Sequence, residues 1–558
     1  MRGKTLKLAL LAAAATALVV AGSGSGANHQ AHKTAAATTL VFGTAADPVV
    51  LDGALVSDGE SLRPIDQMFE GLTALKPGTT RVIPGLATSW KNTTHGKVWI
   101  FYLRHGVVFH DGTPLNAAAV CYNYDRWYNF KGPLQDPDSS YYWQSIFLGF
   151  HHNEDPNLTP SLFKNCKAKG KYTAVITLSA KFAPMLSAAS IGNFGIASPK
   201  ALKKYNANAA HVEGGVVHFD GSYGFRHPTG TGPYMFKSWT VGDKLILVKN
   251  SKYWGKKAKI SRLIFRPISN NTARLQALQT GEVMGYDLVA PADFAAVSGN
   301  SKLKLLRRPA FNVGYVTIHQ CGTCVMKDKK VRQAVAYGLN RAGLVGSSAY
   351  PKGAVVAKEF MPPQLFGYNP KVTTYSYKPS KARSLLNSSS CHVPCHIDFW
   401  YPSSVSRPYM PDPKRNFEVF KASLEASGFS VTAHTAPWRP DYVKQVGLGT
   451  AGDLNLIGWT GDYGDPDNFV GVFFGTYSDQ FGFHNSKITK ILAKARQEGN
   501  LAKRIAIYQQ ANSIIMDYLP GVPYVHTSPA LAFQKRVKGY VPSPVSIEPF
   551  SLVSIGGK

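Results

Sequence analysis

The densest group of side chains able to bind a charged ligand lies in residues 458–468, GWTGDYGDPDN. Asp462 stands between the aromatic residues Trp459 and Tyr463, and two further aspartates follow it closely. A carboxylate with aromatic neighbours is what a site for a cationic group with an apolar surround needs. Closely spaced aspartates also cap the helix that follows a turn, so a purely local role is the alternative. The residues alone leave both roles open.

The residues before this group predict where it lies in the fold. Residues 454–457 form an apolar run that is typical of a short buried strand. Because glycine and proline interrupt regular structure, we expect the strand to end there and residues 458–468 to form a loop. In open α/β sheets, ligands bind outside the carboxyl ends of the strands. Asp462 is therefore predicted to lie at a ligand-binding edge of a sheet.

The segment GWTGDYGDPDNF and the upstream residues Arg407, Pro408 and Tyr409 resemble a known family. They are similar to the dipeptide-binding branch of the family 5 solute-binding proteins of ABC importers. The resemblance extends over most of the chain, from about residue 39 to residue 550. It implies that Asp462 pairs with the α-amino group of a bound peptide and that Arg407 pairs with its carboxylate.

The resemblance also implies a wider set of ligand contacts in the same two segments. Besides Asp462 and Arg407, the expected contacts are Gly458, Trp459, Thr460, Tyr463 and Tyr409. Trp459, Tyr409 and Trp438 could pack around the bound peptide, with ordinary core packing as the alternative. Arginine offers a planar, bidentate donor for a carboxylate, and aspartate accepts hydrogen bonds from an ammonium group. Since burying either ion alone is costly, such a site selects ligands that supply both termini. We expect no catalytic residue, no metal ligand and no cofactor.

The fold that the resemblance implies is an α/β, periplasmic-binding-protein-like fold of type II, cluster C. It has two lobes that close like a Venus flytrap, with an extra small domain in the N-terminal lobe. Helical stripes and alternating strands in the C-terminal half independently favour an α/β class. The expected division is a first-lobe core (39–71 with 229–311 and 527–558), an extra subdomain (72–228) and a second lobe (312–526).

Two regions bear on how the lobes would meet. The stretch 131–164 is aromatic and proline-rich, and it includes Tyr141, Tyr142 and Trp143. Aromatic side chains offer a large contact area with few rotatable bonds, so the stretch could line a ligand cleft. It could equally be a surface excursion of the small domain. Hinges are expected at the two chain crossings, near 308–313 and 524–529.

The N-terminal residues predict export. Basic residues precede an apolar run over 8–21, which is typical of a secretory signal peptide over 1–22. The run is short for a membrane span, which needs about 20 residues, although an uncleaved anchor is an alternative. The first cysteine is Cys121, so a lipid anchor is not expected. Residues 23–38 are small and polar and are expected to form a flexible linker. The predicted location is extracellular or periplasmic.

Composition favours a folded protein that does not bind nucleic acid. The chain has 558 residues, of which 44% are hydrophobic and 12% aromatic. The net charge is +29, from 62 lysines and arginines against 33 aspartates and glutamates. These basic residues are scattered, whereas nucleic-acid-binding proteins concentrate them on one face. A diffuse excess favours association with an anionic wall or membrane surface, although a generally basic proteome would produce the same charge.

The sequence contains none of the common catalytic motifs. It has no G-x-S-x-G, Walker loop, H-E-x-x-H or G-x-G-x-x-G after a strand. Together with this absence, the resemblance implies a monomeric, non-enzymatic binding component of an ABC importer. It would capture dipeptides or oligopeptides between the lobes and deliver them to the permease and ATPase subunits. A binder of another solute, such as a metal chelate, a glycan or an opine, is one alternative, and a secreted hydrolase is another.

The cysteines predict three disulfides. They fall into close pairs: Cys121 with Cys166, Cys321 with Cys324, and Cys391 with Cys395. An even number of cysteines in an exported chain is typical of disulfide bonding. C-x-x-C spacing is also compatible with redox chemistry or with half of a zinc site, and two histidines beside the last pair add a possible metal cluster.

Overall fold

The structure is a computed structural model that describes residues 38–93, 96–321, 324–545 and 547–556. The predicted signal peptide over 1–22 and the predicted linker over 23–38, apart from Thr38, lie outside these ranges. Within them, every helix is too short or too polar to span a bilayer.

The strands of the described chain are numbered in chain order. They are β1 (Thr39–Thr44), β2 (Thr73–Leu75), β3 (Val82–Pro84), β4 (Ala87–Thr93), β5 (Val98–Leu103), β6 (Phe163–Ala168), β7 (Thr173–Leu178), β8 (Ala210–Glu213), β9 (Val216–Phe219), β10 (Tyr234–Thr240), β11 (Lys244–Lys249), β12 (Arg262–Pro267), β13 (Gly285–Asp287), β14 (Leu303–Arg307), β15 (Asn312–Ile318), β16 (Cys395–Ser403), β17 (Phe429–Pro437), β18 (Leu454–Thr460), β19 (Gly521–Val525), β20 (Ala530–Gln534), β21 (Val537–Lys538) and β22 (Ser554–Ile555).

The α-helices are numbered in the same way. They are α1 (Gly59–Met68), α2 (Ala117–Tyr128), α3 (Tyr141–Phe147), α4 (Met185–Ala188), α5 (Pro199–Lys204), α6 (Tyr223–Arg226), α7 (Asn271–Thr280), α8 (Phe294–Gly299), α9 (Lys329–Gly338), α10 (Arg341–Val345), α11 (Pro379–Asn387), α12 (Pro413–Glu425), α13 (Val443–Gly447), α14 (Val470–Phe474), α15 (Ser486–Gln497) and α16 (Leu501–Tyr518).

Three large sheets organise these elements. A seven-stranded sheet has the order β10-β11-β12-β1-β13-β20-β14, and a four-stranded sheet has the order β4-β5-β7-β6. We call these two sheets and their helices the first lobe. A five-stranded sheet with the order β17-β16-β18-β15-β19 forms, with its helices, the second lobe. Both lobes contain parallel pairs, β1 with β12 and β16 with β17, which confirms the predicted α/β class.

Helix α12 illustrates how the sequence builds the second lobe. The side chain of Asp412 caps its first turn, and a proline occupies the first helical position. Phe417, Phe420 and Leu424 recur at helical spacing, and all three are buried against the sheet. Gly428 then adopts a positive φ of 98°, which lets the chain turn directly into β17. The apolar stripe thus fixes which face of the helix covers the strands.

The chain passes between the lobes twice, once after β14 and once after β19. The two crossings run side by side, because the backbone N–H of Arg308 donates to the carbonyl of Pro529 at 2.8 Å. The side-chain amide of Asn312 also forms hydrogen bonds of 3.0 Å with both the backbone carbonyl and the backbone N–H of Thr527. Any movement of one lobe relative to the other must therefore act on both crossings together.

The cysteines form the three predicted disulfides. Cys121 on α2 is bonded to Cys166 on β6, and the other bonded pairs are Cys321 with Cys324 and Cys391 with Cys395. The first bond fixes α2 against the four-stranded sheet, and the other two close short loops in the second lobe. In this bonded form the cysteine sulfurs are not available as thiolate ligands for a metal.

Candidate functional site

Asp462 and Arg407 follow adjacent parallel strands of the second lobe. Strand β16 pairs in parallel with both β17 and β18, so the carboxyl ends of all three strands lie at the same edge of the sheet. Arg407 lies in the segment after β16, Asp462 lies just after β18, and Trp438 directly follows β17. The topology therefore brings both predicted charged residues to the edge where open α/β sheets bind ligands.

Gly458, Trp459 and Thr460 belong to strand β18 rather than to a loop. The expectation that the strand ends at residue 457 is wrong, because β18 continues to Thr460 and pairs along its whole length with β15. The ring of Tyr409 packs so closely on Gly458 that a Cβ at this position would clash with it. The position therefore requires glycine. Glycine inside a strand often marks such a close approach.

Two of the three aspartates in the loop after β18 are paired with arginines. The carboxylate of Asp465 accepts two hydrogen bonds from Arg504 on α16, at 2.5 and 2.8 Å. The carboxylate of Asp467 lies 3.3 Å from Nε of Arg496 on α15. Buried pairs of this kind are costly to break. Asp465 and Asp467 therefore anchor the loop and are already neutralised.

The remaining aspartate, Asp462, forms no salt bridge with any residue that the structure describes. Its carboxylate accepts hydrogen bonds from the side-chain amide of Asn468, at 3.2 Å, and from the hydroxyl of Tyr142. Burial raises the pKa of Asp462 to about 6, although these two hydrogen bonds lower it in part. Among the described residues, this half-buried carboxylate is held by neutral donors and has no salt-bridge partner that would offset its lost hydration.

Arg407 is a cation that, like the anion Asp462, forms no salt bridge with a described residue. Its guanidinium lies 4.3 Å above the ring of Trp438, and its Nε is buried without a hydrogen-bond partner among the described residues. Its backbone N–H and carbonyl are both hydrogen-bonded to Met410 at 3.0 Å, which fixes the position of the residue. Within the described ranges no carboxylate forms a salt bridge with it. Asp462 and Arg407 are therefore an anion and a cation for which the described part of the chain supplies no salt-bridge partner.

Trp459 lies where the two lobes meet. Its ring packs against Tyr141 and Tyr142 of the first lobe, with ring centroids 5.6 and 6.5 Å apart, and against Phe473 of the second lobe at 6.0 Å. Of the two alternatives for the stretch 131–164, the structure favours the cleft, because its tyrosines reach Trp459 and Asp462. Nothing in the sequence distinguishes these tyrosines from those of a surface excursion.

Tyr409 and Tyr463 are more deeply buried than their neighbours. The backbone carbonyl of Tyr409 accepts hydrogen bonds from the hydroxyls of Tyr350 and Tyr524, at 3.0 and 3.2 Å. Burial also raises the pKa of Tyr409 to about 12. Tyr463 is fully buried and packs with the hydrophobic core of the first lobe. The structure gives both a supporting role beside the charged residues, and their contact with a ligand stays a prediction, as does that of Thr460.

Asp66 on α1 of the first lobe lies close enough to interact electrostatically with Asp462, which the sequence does not predict. Burial raises its pKa to about 8, with further contributions from the nearby carboxylates of Glu548 and Asp462. Near neutral pH Asp66 therefore holds a proton and does not repel Asp462. A single aspartate within a helical pattern gives no sequence signal for such a position.

A groove of about 560 Å³ opens between the lobes beside the Arg407 segment. The first lobe contributes Asn271 and residues 290–292 to its lining, and the second lobe contributes residues 401–405 and 411–414. This volume lies within the range of small-molecule sites in proteins. The lining lies on both sides of Arg407 in the sequence but does not include Arg407 itself.

The packing at Gly458 predicts the effect of a single methyl group. Gly458→Ala should lower the free energy of unfolding by about 1–3 kcal/mol, because the new Cβ meets the ring of Tyr409 and the backbone of β15. Urea denaturation measures this change. The control is Gly499→Ala, whose Cβ would meet no atom within 4 Å. Equal midpoints for the two variants would contradict the close packing described here.

Comparison with known proteins identifies the family. Residues 81–481 match the model of the bacterial extracellular solute-binding proteins, family 5. The chain is 30% identical over 531 residues to the dipeptide-binding protein of Escherichia coli (strain K12), covering 93% of this chain and 95% of that protein. It is also 30% identical over 571 residues to heme-binding protein A of Haemophilus influenzae, covering 99% of this chain and 100% of that protein.

Solved structures support the same assignment. The ABC transporter-associated periplasmic binding protein DppA from Helicobacter pylori, in complex with the peptide STSA, is similar to this chain with a TM-score of 0.81. The two are 26% identical, and the similarity covers 93% of this chain and 98% of that one. This likeness confirms the predicted two-lobed, type II binding-protein fold. The chain therefore belongs to the bacterial extracellular solute-binding proteins of family 5.

Proposed function

We propose that this chain is the substrate-binding component of an ABC importer and that it captures short peptides between its lobes. The observation that carries the proposal is the pair Asp462 and Arg407, which lie at one edge of one sheet. Among the described residues neither has a salt-bridge partner. A zwitterion with a free ammonium and a free carboxylate supplies a partner for each. The named ligand class of the E. coli relative agrees with this proposal.

In this proposal, Asp462 and Arg407 bind the two ends of the peptide, and the aromatic residues beside them contact its middle. The carboxylate of Asp462 accepts hydrogen bonds from the peptide ammonium, while the hydroxyl of Tyr142 holds that carboxylate in place. The guanidinium of Arg407 donates to the peptide carboxylate. Trp459 and Tyr141 pack along the peptide, and the groove beside Arg407 takes its side chains. The chain performs no chemical step and passes the peptide to permease and ATPase subunits.

The relative named heme-binding protein A makes a porphyrin the competing ligand. A porphyrin propionate would pair with Arg407 but would leave Asp462 without a cation. The paired opposite charges therefore favour a peptide. Native mass spectrometry of protein purified without refolding tests this choice. Bound masses of short peptides are expected, and stoichiometric heme would overturn the proposal.

Removing the guanidinium tests the charged pair. Arg407→Ala should weaken binding of a dipeptide by about 2–5 kcal/mol, because it leaves the peptide carboxylate desolvated and unpaired. Isothermal titration calorimetry measures the loss. Arg415→Ala, which removes an exposed arginine from nearby α12, is the control and should change affinity little. A loss of less than tenfold for Arg407→Ala would exclude its proposed role.

The raised pKa of Asp462 predicts a pH dependence. With a pKa of about 6, Asp462 is about nine-tenths ionised at pH 7 and about one-tenth ionised at pH 5. Only the ionised form pairs with the ammonium, so the dipeptide affinity should fall about tenfold between pH 7 and pH 5. Binding should also release protons near pH 6, since the ammonium lowers this pKa. Calorimetry in buffers of different ionisation enthalpy measures both effects.

The control for this pH dependence is Asp462→Asn. Its affinity should be low at every pH, and it should show no step between pH 5 and pH 7. The same slope in both proteins would assign the titration to another group and contradict the role of Asp462.

The contacts between the lobes imply that binding is coupled to closure. Trp459 packs on tyrosines of the first lobe, and Arg496 donates to the carbonyls of Ser145 and Ile146 at 2.8 and 2.9 Å. A peptide held by Asp462 and covered by Tyr141 touches both lobes only when these contacts are made. Such differential contact shifts an open–closed equilibrium toward the closed state. The proposed hinges are the crossings near 308–313 and 524–529.

Small-angle X-ray scattering tests closure. Saturating dipeptide should decrease the radius of gyration relative to the ligand-free protein. The matched control is the same dipeptide with an acetylated N-terminus and an amidated C-terminus, which lacks both charges and should leave the radius unchanged. An unchanged radius with confirmed binding of the free dipeptide would show that the cleft does not close as proposed.

A further inference from the structure

A second pocket, of about 400 Å³, is lined by residues of the first lobe only and shares none with the candidate peptide site. The turn after β5, helix α5, the segment after α6 and strand β10 surround it. Its lining includes buried Ala201 and Thr229 and the partly buried Met235 and Phe236.

Three exposed cations surround this pocket: Lys200 and Lys204 on α5, and Arg226 at the end of α6. In the described part of the chain none of the three forms a salt bridge. Neighbouring positive charges repel one another, and an anion bound between them would reduce that repulsion.

The acidic side chain that lines the pocket, Asp111, is already engaged. Its carboxylate accepts hydrogen bonds from the hydroxyls of Ser198 and Thr113, both at 2.6 Å, and from the backbone N–H of Thr113 at 3.0 Å. Although burial raises the pKa of Asp111, these hydrogen bonds and the charge of Lys200 lower it below its usual value. Asp111 therefore offsets part of the charge of Lys200. The ammonium of Lys204 lies 5.1 Å from the centroid of the Tyr205 ring, and neither Lys204 nor Arg226 forms a salt bridge with a described residue.

Two aromatic side chains that stack on each other, Tyr205 and His227, line one side of the pocket. The rings of Tyr205 and His227 stack with centroids 3.7 Å apart and an interplanar angle of 12°. Partial burial lowers the pKa of His227, and the positive charges of Lys204 and Arg226 lower it further. The imidazole is therefore neutral near pH 7 and lies in a positive electrostatic potential. An anion bound between these cations would reverse that effect.

We propose that this pocket binds a phosphate ester, with the phosphate between Lys200, Lys204 and Arg226 and the organic part against the rings of Tyr205 and His227. Arginine offers bidentate hydrogen bonds to phosphate, and lysine provides a point charge. The volume suits a small organic ligand and is larger than a bare phosphate requires. The net charge of +29 attracts anions to the whole surface without selecting one position. The pocket would provide a specific site for one class of anion.

The phosphate ester could come from a soluble molecule or from a phospholipid headgroup. The probes are therefore glycerol 3-phosphate, followed by calorimetry, and phosphatidylglycerol vesicles, followed by co-sedimentation with phosphatidylcholine vesicles as the blank. The full chain is used at about 0.15 M salt, where exposed charges more than about 8 Å apart are largely screened. The test variant combines Lys200→Gln, Lys204→Gln and Arg226→Gln. The control combines Lys256→Gln, Lys257→Gln and Lys259→Gln, which removes the same charge from exposed positions of the same lobe.

Pocket-dependent binding to at least one probe is expected, with a loss of at least tenfold in the pocket variant and less than twofold in the control. Binding of glycerol 3-phosphate supports a soluble ligand, and binding of the vesicles alone supports a lipid headgroup. NMR titration of His227 in the wild type should show its pKa rising when the ligand is bound. Equal losses in the two variants, or binding to neither probe, would overturn the proposal.

Discussion

Burying an ionised group is costly unless an opposite charge and hydrogen bonds accompany it, and this constraint organises the loop after β18. Asp465 and Asp467 satisfy it internally through Arg504 and Arg496, which belong to the two helices behind the loop. Asp462 differs from both, because among the described residues its carboxylate is held only by the neutral donors Asn468 and Tyr142. In the proposed complex, the ammonium of the ligand would supply the opposite charge.

The same anchoring group also joins the lobes. Arg496 pairs with Asp467 through one nitrogen and donates through another to the carbonyls of Ser145 and Ile146 in the first lobe. Its guanidinium also lies 5.0 Å above the ring of Phe182. The residue that stabilises the binding loop is thus also a residue of the closed interface. The conformation of the loop and the contact between the lobes both depend on the side chain of Arg496. Separating the lobes would remove part of its contacts and so weaken its hold on the loop.

The sequence predicts the parts of the site that a local pattern can encode. Asp462 and Arg407 stand in two recognisable segments, and the apolar run before Asp462 correctly predicts a strand ending near a sheet edge. The continuation of that strand through Gly458 depends on the ring of Tyr409, which is distant in sequence. The contact of Tyr142 with Asp462 likewise exists only because the lobes meet. Long-range contacts of this kind leave no trace in a window of neighbouring residues, and the position of Asp66 was missed for the same reason.

The position of Arg407 links the ligand to the chain crossings. The carbonyl of Pro408, its neighbour, accepts a hydrogen bond of 2.6 Å from the hydroxyl of Thr527. Thr527 belongs to the second crossing and is hydrogen-bonded to Asn312 of the first. If a ligand carboxylate binds Arg407 as proposed, it would act on a segment that is hydrogen-bonded to both crossings. An open–closed equilibrium shifts only when the ligand makes different contacts in the two states, and this short connection is a route by which such a difference would reach the crossings.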